Sequence, residues 1–552
     1  MSRINSAGEL EDLRKEILSK KNPGRPCIAI CGGTSCLGLG NQGVIKAFQD
    51  EIKNKKQADN IDVKVTGCHG FCAQGPNIVI YPEEICYVQV KPEDAADILS
   101  QTVIGKKIID RLVYTDANGA KKVYRNEIPF YSNQVQNLIG DNARIDPKKI
   151  EDYIGIGGYA ALAKTLSMMS PLEVLEEIKK ASLRGRGGGG FPVGSKWETT
   201  RNAKGEEKYV IVNGHEGEPG AYMDRALFQG NPHRILEGLI IGGYAIGAHQ
   251  GFIYTRHDSL ELRANISEAL AKAEEYGFLG KNILGSGFDF KVEVHLDVGI
   301  FVSGESSALM RSIEGKPPEP RPKYIRTSVR GIWERPSNLN NVETWANVPL
   351  IIDKGAEWYA GIGSENSKGT KCISLSGNIV NTGVVEVPFG MPLRTIIYDI
   401  GGGIPKGKRL KAAHFGSAMG GSIPEKFLDT PLDFDALSKL GAAIGAGGLL
   451  IIDEDTSMVS MTRFFLNFLT NESCGKCVPC REGIKQMLHI LDDLCDGRGK
   501  KSDIELLEEI CEVTKAASLC ALGRTASDPL MSALRYFRDE FEAKIVEESE
   551  KR

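Results

Sequence analysis

The sequence predicts an α/β protein of several domains, and three observations carry that expectation. Its 552 residues exceed what one compact core holds, so two to four domains are expected. Between about 150 and 365, amphipathic helical patterns alternate with short apolar runs, as in a parallel sheet covered by helices. The 13 cysteines gather in groups and the 63 glycines cluster, so special sites are set into the framework.

The elements follow in chain order. An amphipathic helix (Leu10, Leu13, Ile17, Leu18) opens a first unit, residues 1–105. Strand-like runs at 26–31, 61–65 and 77–80, with a helix around 44–52, suit a small thioredoxin-like domain with cysteines at its loop ends. Residues 106–149 are polar and read as a linker or wrapping segment. Residues 150–365 carry apolar runs at 209–212, 251–254 and 291–296 and form a Rossmann-like α/β domain. Residues 366–435, β-branched at 372–376 and 384–387, predict a small β-rich module. Residues 436–552 read as amphipathic helices (504–516, 530–545) and predict a helical bundle.

Composition excludes several classes. A net charge of -4 without a basic stripe gives no nucleic-acid footprint. Residues 1–21 are polar and charged, unlike a signal peptide. The most apolar stretches, 236–248 and 444–452, are short and broken by glycine, so no membrane segment is expected and the chain reads as cytoplasmic. In that compartment, grouped cysteines point to metal or redox chemistry rather than disulfides.

The first group is Cys31-x4-Cys36 with Cys68-x3-Cys72. Two close thiolate pairs can hold zinc or a [2Fe–2S] cluster. Iron is favoured because Gly32, Gly33, Gly38, Gly67, Gly70 and Gly75 leave backbone N–H groups free to approach cluster sulfides. The second group is Cys474-x2-Cys477-x2-Cys480, three corners of a [4Fe–4S] cubane, with Lys476 and Arg481 favouring thiolate. Cys520, in Ser-Leu-Cys-Ala-Leu-Gly, is the preferred fourth ligand. Cys495 and Cys511 compete, although Cys511 sits in a helical apolar pattern. Cys27, Cys86 and Cys372 lie in apolar runs and read as small core residues.

Arg184-Gly-Arg-Gly-Gly-Gly-Gly-Phe191-Pro-Val-Gly-Ser-Lys196-Trp197 follows a helical pattern at 172–180. Its glycines lose much backbone entropy on ordering, and close approach of N–H groups to a phosphate or ring compensates. Arg186 and Lys196 add cationic contacts. No Gly-Lys-Ser/Thr follows, so it is not a P-loop; a flexible linker is the alternative. Asn213-Gly-His-Glu216-Gly-Glu218-Pro-Gly stands after a strand, where α/β sheets place ligands.

Together, GRGGGGFPVGSKW (185–197), NGHEGEPG (213–220), SGESSALMRSIEG (303–315), LNNVET (339–344) and ESCGKCVPCREG (472–483) resemble the flavin-bearing, NADH-oxidising subunit of respiratory complex I. They resemble equally the corresponding subunits of NAD-linked hydrogenases and formate dehydrogenases. The first hundred residues resemble the thioredoxin-like [2Fe–2S] subunit of the same complexes. The resemblance implies FMN held by Gly185, Arg186, Gly187, Lys196, Asn213, Glu216, Gly304, Glu305, Asn340 and Asn341. It implies a nicotinamide stacked near Phe191 with Glu218 beside it, a ubiquitin-like module at 366–435 and iron–sulfur partner subunits. A two-cluster ferredoxin segment, frequent in electron-bifurcating relatives, is not among these residues, so electrons are expected to leave through the N-terminal cluster or through partners' clusters.

Four departures stand out. His215 replaces an acid, Ser306 replaces a glutamate expected to read ribose hydroxyls, and Glu198 and Thr199 stand where an aromatic is expected. Lys323-Tyr-Ile-Arg326-Thr replaces a segment carrying an adenine-stacking phenylalanine. Losing an acid and gaining Arg326, with Arg330 nearby, is the change that admits a 2′-phosphate. NAD(H) use, NADP(H) use and an electron-transfer adapter with a degenerate nucleotide pocket therefore stay open.

Overall fold

The structure, a computed structural model, describes residues 3–57, 60–116, 118–322 and 324–546; Lys323 lies outside them. The first sheet comprises β1 (Cys27–Cys31), β2 (Asp62–Thr66), β3 (Ile78–Tyr81) and β4 (Ile85–Tyr87) in the order β2-β1-β3-β4. Only β1 and β2 run parallel. Helix Asn41–Asn54 lays Val44, Phe48 and Ile52, spaced by one turn, against this sheet's core. The short helix Thr34–Gly38 after β1 carries Cys36, and the loop after β2 carries Cys68.

A hairpin of β5 (Tyr114–Thr115) and β6 (Lys121–Lys122) opens the segment expected to wrap. Phe130 from that segment stacks on Phe71 at 4.1 Å. The N–H groups of Leu138 and Ile139 donate to the buried Glu386 carboxylate at 2.8 and 3.1 Å. Residues 106–149 thus tie the cysteine-bearing sheet to the β-rich module.

The central domain is built on β7 (Tyr209–Gly214), β8 (Gln250–Thr255), β9 (Lys291–Leu296) and β10 (Ser337–Asn341), all parallel in the order β10-β7-β8-β9. Helix Pro232–Ile246 is buried on almost every side, so its run of isoleucine, leucine and glycine needs no polar face. It crosses helix Val342–Lys354 so closely that a Cβ at Gly238 would stand 2.0 Å from the Trp345 carbonyl oxygen.

The β-rich module is a sheet of β11 (Thr370–Gly377), β12 (Gly383–Pro388), β13 (Leu410–Phe415), β14 (Gly421–Pro424) and β15 (Gly448–Asp453), in the order β12-β11-β15-β13-β14. Helices Met458–Glu472, Val478–Cys495, Asp503–Ala517 and Asp528–Glu542 form the C-terminal bundle.

Two boundaries differ from the sequence reading. Helix Ala7–Lys20, grouped above with the first unit, buries Leu10 in the core of the central domain, and the Ile4 N–H donates to the Tyr276 carbonyl at 3.0 Å. Strand β15, grouped above with the helical bundle, lies inside the β-rich sheet and pairs with β11 and β13. A short apolar run suits a fully buried strand or a helix alike, and only its two neighbours decide between them.

Gly238→Ala should therefore cost about 3 kcal/mol, since backbone cannot yield to the new methyl. Gly8→Ala, in helix Ala7–Lys20 with only Ser6 within 4 Å at 3.8 Å, should gain about 0.5–1 kcal/mol. Chemical-denaturation midpoints of the two variants check this.

Candidate functional site

The carboxyl ends of three of the four parallel strands, β7, β9 and β10, and the loops after them converge on one cavity. Asn213 stands at the end of β7 and Asn341 closes β10, and Gly304 and Glu305 follow β9. The Asn213 amide donates to the Gly304 carbonyl at 3.0 Å, joining two of these loops. Asn341 caps helix Val342–Lys354 through the Glu343 N–H at 2.9 Å and donates to Asp224 at 2.6 Å. Glu305 caps helix Ser306–Ile313 by accepting from the N–H groups of Ser307 and Ala308.

Glu216 takes a left-handed backbone (φ 40°), and its carboxylate accepts the Asp224 and Arg225 N–H groups at 2.7 and 2.9 Å. Glu218 is less well served: one buried carboxylate oxygen has no hydrogen-bond partner. Burial, then the charge of Glu216, pushes its carboxyl up to about 7. The Asn340 carboxamide oxygen is also buried without a partner. Lys196 donates to the Leu339 carbonyl at 2.8 Å, and burial lowers its ammonium to about 8. Of these three only Glu218 lines the cavity; among the described residues, unpaired polar atoms and an ammonium without an anion beside it are the complement of a phosphate-bearing, hydrogen-bonding ligand.

The glycine-rich loop is held from two sides. The Gly185 N–H closes on the Phe191 carbonyl at 2.9 Å, and Gly187 lines the cavity. Gly188 (φ 112°) bridges to Gly445 beside β15 in a backbone conformation that residues with a Cβ rarely adopt. Arg186 departs from the expectation of a cationic cofactor contact. Its side chain is fully buried and donates to the Thr370, Lys368 and Arg184 carbonyls and the Tyr359 hydroxyl. The guanidinium joins the loop to the β-rich module and faces away from the cavity. Phe191 is 52% exposed and does not line the cavity.

Two cysteine sets flank this cavity. On one side Cys474, Cys477, Cys480 and Cys520 line a single small pocket with Val302 and Leu522, and both of those residues also line the larger cavity. Cys511 is apart, donating to the Met487 sulfur at 3.3 Å in the bundle core. On the other side Cys68 and Cys72 line a cleft whose opposite wall is Glu216, Gly217, Glu218 and Ala221, again shared with the cavity.

Sulfur neighbours run Cys36–Cys31–Cys68–Cys72, two pairs joined in the middle. The His69 and Gly70 N–H groups donate to the sulfurs of Cys31 and Cys68, both at 3.4 Å. Among the described residues no three His, Cys, Asp or Glu side chains close around one metal ion. Four thiols in two neighbouring pairs, with N–H donors beside them, fit a [2Fe–2S] cluster, which divides its four protein ligands between two irons. Cys86 and Cys372 are fully buried among apolar neighbours, and Cys27 partly so.

Sequence reasoning did not single out Asp224, Tyr222, Val302, Leu522, Asp297 or His257. Asp297 directly follows the strand expected at 291–296, and an acid at the carboxyl end of a parallel strand was the available signal.

A ligand cavity at the switch end of a parallel sheet, walled on two sides by cysteine nests, defines an iron–sulfur flavoprotein that carries electrons. Residues 178–350 match the Nuo51 FMN-binding domain, 460–544 the NADH-ubiquinone oxidoreductase-F iron-sulfur binding region, and 16–103 the thioredoxin-like [2Fe-2S] ferredoxin. The chain is 46% identical over 401 residues to the NADP-reducing hydrogenase subunit HndC of Solidesulfovibrio fructosivorans, covering 73% of this chain and 81% of that one. It is 39% identical to an NADH-quinone oxidoreductase subunit of Escherichia coli (strain K12), over 72% of this chain and 90% of that one. A crystal structure of NAD+-reducing [NiFe]-hydrogenase in the H2-reduced state aligns over 99% of this chain and 92% of that one, with a TM-score of 0.67 and 25% identity. The chain belongs to the family of these FMN- and iron–sulfur-carrying NADH-dehydrogenase subunits.

Cys520→Ser should remove about four irons per chain and the [4Fe–4S] signal, while Cys495→Ala and Cys511→Ala keep both. Iron analysis with electron paramagnetic resonance of the reduced protein reads this out. Glu218 supplies a pH test. Its carboxyl is raised on folding, so its contribution to stability is full below the unfolded value near 4.5 and is lost as pH rises through about 7. Glu218→Gln should therefore stabilise the flavin-free chain at about pH 8 and leave it unchanged at about pH 4, measured by thermal unfolding.

Proposed function

We propose that this chain exchanges hydride between NAD(P)H and FMN and passes the electrons singly, through a [4Fe–4S] and a [2Fe–2S] cluster, to or from a partner subunit. One observation carries the reading: the cavity shares Val302 and Leu522 with the four-cysteine pocket, and Glu216 to Glu218 with the Cys68–Cys72 cleft. Bound FMN supplies the conversion between a two-electron hydride and single electrons.

The chain's own residues do the rest. Gly185, Gly187, Asn213, Glu216, Gly304, Glu305, Asn340 and Asn341 orient the isoalloxazine and ribityl groups, and Lys196 takes the phosphate. Glu218 and Phe191 position the nicotinamide. Cys31, Cys36, Cys68 and Cys72 hold the smaller cluster, and Cys474, Cys477, Cys480 and Cys520 the larger.

The partner is an iron–sulfur subunit of a hydrogenase or formate dehydrogenase, and the location is the cytoplasm. Among the described residues no helix is long and apolar enough to cross a membrane. The nucleotide is NADP(H) as well as NAD(H). Arg326 is exposed and makes no ion pair among the described residues, so its guanidinium is free for a 2′-phosphate. Arg330 is committed to Glu334 at 2.5 Å.

Anaerobic titration with NADH and then NADPH, followed in the flavin and cluster absorbance, tests the function. Bleaching by either establishes hydride transfer; bleaching by neither, in protein shown to contain FMN and iron, leaves an electron adapter. Arg326→Ala should weaken NADPH binding about 10- to 100-fold, as loss of a charge-assisted contact does, and leave NADH binding unchanged. Arg330→Ala should alter neither.

A further inference from the structure

A buried polar chain runs from the end of β2 to the start of β3 and reaches both cysteine pairs of the first sheet. Its members are Thr66, which closes β2, His69 in the loop that follows, and Asn77 just before β3. They are 1%, 2% and 1% exposed, so water satisfies none of them. His69 Nε2 lies 2.7 Å from the Thr66 hydroxyl oxygen, and the Asn77 carboxamide stands beside the imidazole. Asn77 Nδ2 donates to the Phe71 carbonyl at 3.1 Å, which fixes which way the carboxamide is turned. Two buried atoms of the chain have no hydrogen-bond partner: His69 Nδ1 and Asn77 Oδ1.

One placement of protons serves both atoms. The Thr66 hydroxyl has a single proton, and the Ile30 carbonyl at 3.1 Å and His69 Nε2 at 2.7 Å compete for it. Burial favours the neutral imidazole, so the ring also has one proton to place. If Thr66 donates to Ile30, the ring proton sits on Nε2, and Nδ1 and Asn77 Oδ1 are neighbouring buried acceptors with no donor between them. If Thr66 donates to Nε2, the shorter contact, the ring proton sits on Nδ1 and is available to Asn77 Oδ1. Ile30 lies in β1, which is paired along both edges, so its carbonyl is not left bare. Unsatisfied buried acceptors are costly, and the second arrangement removes both.

The same residues carry main-chain groups that meet the cysteines. The His69 N–H donates to Cys31 Sγ and the Gly70 N–H to Cys68 Sγ, both at 3.4 Å. The Asn77 N–H faces the Cys36 sulfur, and the Asn77 carbonyl accepts the Cys31 N–H at 3.1 Å. Hydrogen bonds to the ligand sulfurs are one of the factors that set an iron–sulfur potential, since they stabilise the more negative, reduced state. We propose that Thr66, His69 and Asn77 form a clamp that holds these N–H groups on the sulfurs of Cys31, Cys36 and Cys68, and so sets the midpoint potential of the [2Fe–2S] cluster. His69 is a positioning residue: its imidazole ties β2 to Asn77, and its effect reaches the sulfurs through peptide groups. The clamp needs no change of charge and moves no proton. That potential, relative to the flavin's, decides how far an electron moves onto the cluster.

The clamp rests on Cys31, Cys36, Cys68 and Cys72 holding the smaller cluster, but not on the hydride reading, so its test uses no nucleotide. The holoprotein is poised with dithionite and mediators, and the [2Fe–2S] electron paramagnetic resonance signal is followed against potential. His69→Leu should shift the one-electron equilibrium about tenfold toward the oxidised form, which is about 59 mV. FMN content and the [4Fe–4S] midpoint should stay as in wild type. Spin-echo modulation of the reduced [2Fe–2S] signal should show altered coupling to peptide nitrogens. His69→Gln, which keeps one donor and one acceptor, should restore most of the midpoint. Thr66→Val, close to threonine in volume but without the hydroxyl, should shift it in the same direction, and decides the matter if His69→Leu loses the cluster. A midpoint and nitrogen coupling unmoved in these variants overturn the clamp. Absence of any [2Fe–2S] signal from wild-type protein instead overturns the ligand set, and the clamp with it.

Discussion

A buried ion network at the joint between the central domain and the β-rich module holds the site in shape. The Glu343 carboxylate, at the start of helix Val342–Lys354, accepts the Lys371 ammonium and the Cys372 N–H of β11. The Arg186 guanidinium lies 3.9 Å away, and all three side chains are essentially inaccessible to water. Removing one partner from such a cluster typically costs about 3–5 kcal/mol, because a charge is left buried and unpaired. The network fixes the glycine-rich loop, the helix after β10 and strand β11 of a second sheet relative to one another. Without it a loop of consecutive glycines would have no reason to keep one shape.

The same joint explains how electron carriers come to be neighbours. The module's sheet presents Gly445 to the glycine-rich loop and packs β14 against helix Asp528–Glu542, where the Ser422 N–H donates to Ser532 at 2.9 Å. The cysteine bundle is thereby pressed against the flavin cavity until Val302 and Leu522 serve as a wall common to both. On the opposite side the wrapping segment, through Phe130 and Glu386, brings the first sheet to the Glu216–Tyr222 loop. Electron exchange needs short gaps and hydride exchange needs a dry, oriented cavity. Both come from packing domains around one set of loops.

Acid and base groups near the cavity have divided roles set by surroundings. Glu216 and Glu305 spend their oxygens on backbone N–H groups and act as struts. Glu218 keeps an unsatisfied oxygen and a raised carboxyl, so it is available to a ligand. Asp297 is charged because two imidazoles and backbone N–H groups surround it. Identical chemistry therefore gives a strut, a ligand contact and an imidazole anchor.

Local sequence was enough for the elements and the types of chemistry. Strands at 209–212, 251–254 and 291–296 needed only apolar runs between helical patterns, and the cysteine spacings needed only local chain geometry. The motifs that gather four cysteines on each side, and the loops that bring Asn213, Gly304 and Asn341 to one cavity, were legible because they are short, local signals. Packing in three dimensions turned Arg186 from the cavity to Thr370 and Tyr359, made β15 a strand, and gave helix Ala7–Lys20 to the central core. It also brought His257 against Asp297, and through it to His215, although the three are widely separated along the chain. One cause is common to all four: each depends on which neighbour fills a buried space or satisfies a buried polar atom. That neighbour is chosen by packing between segments remote in sequence.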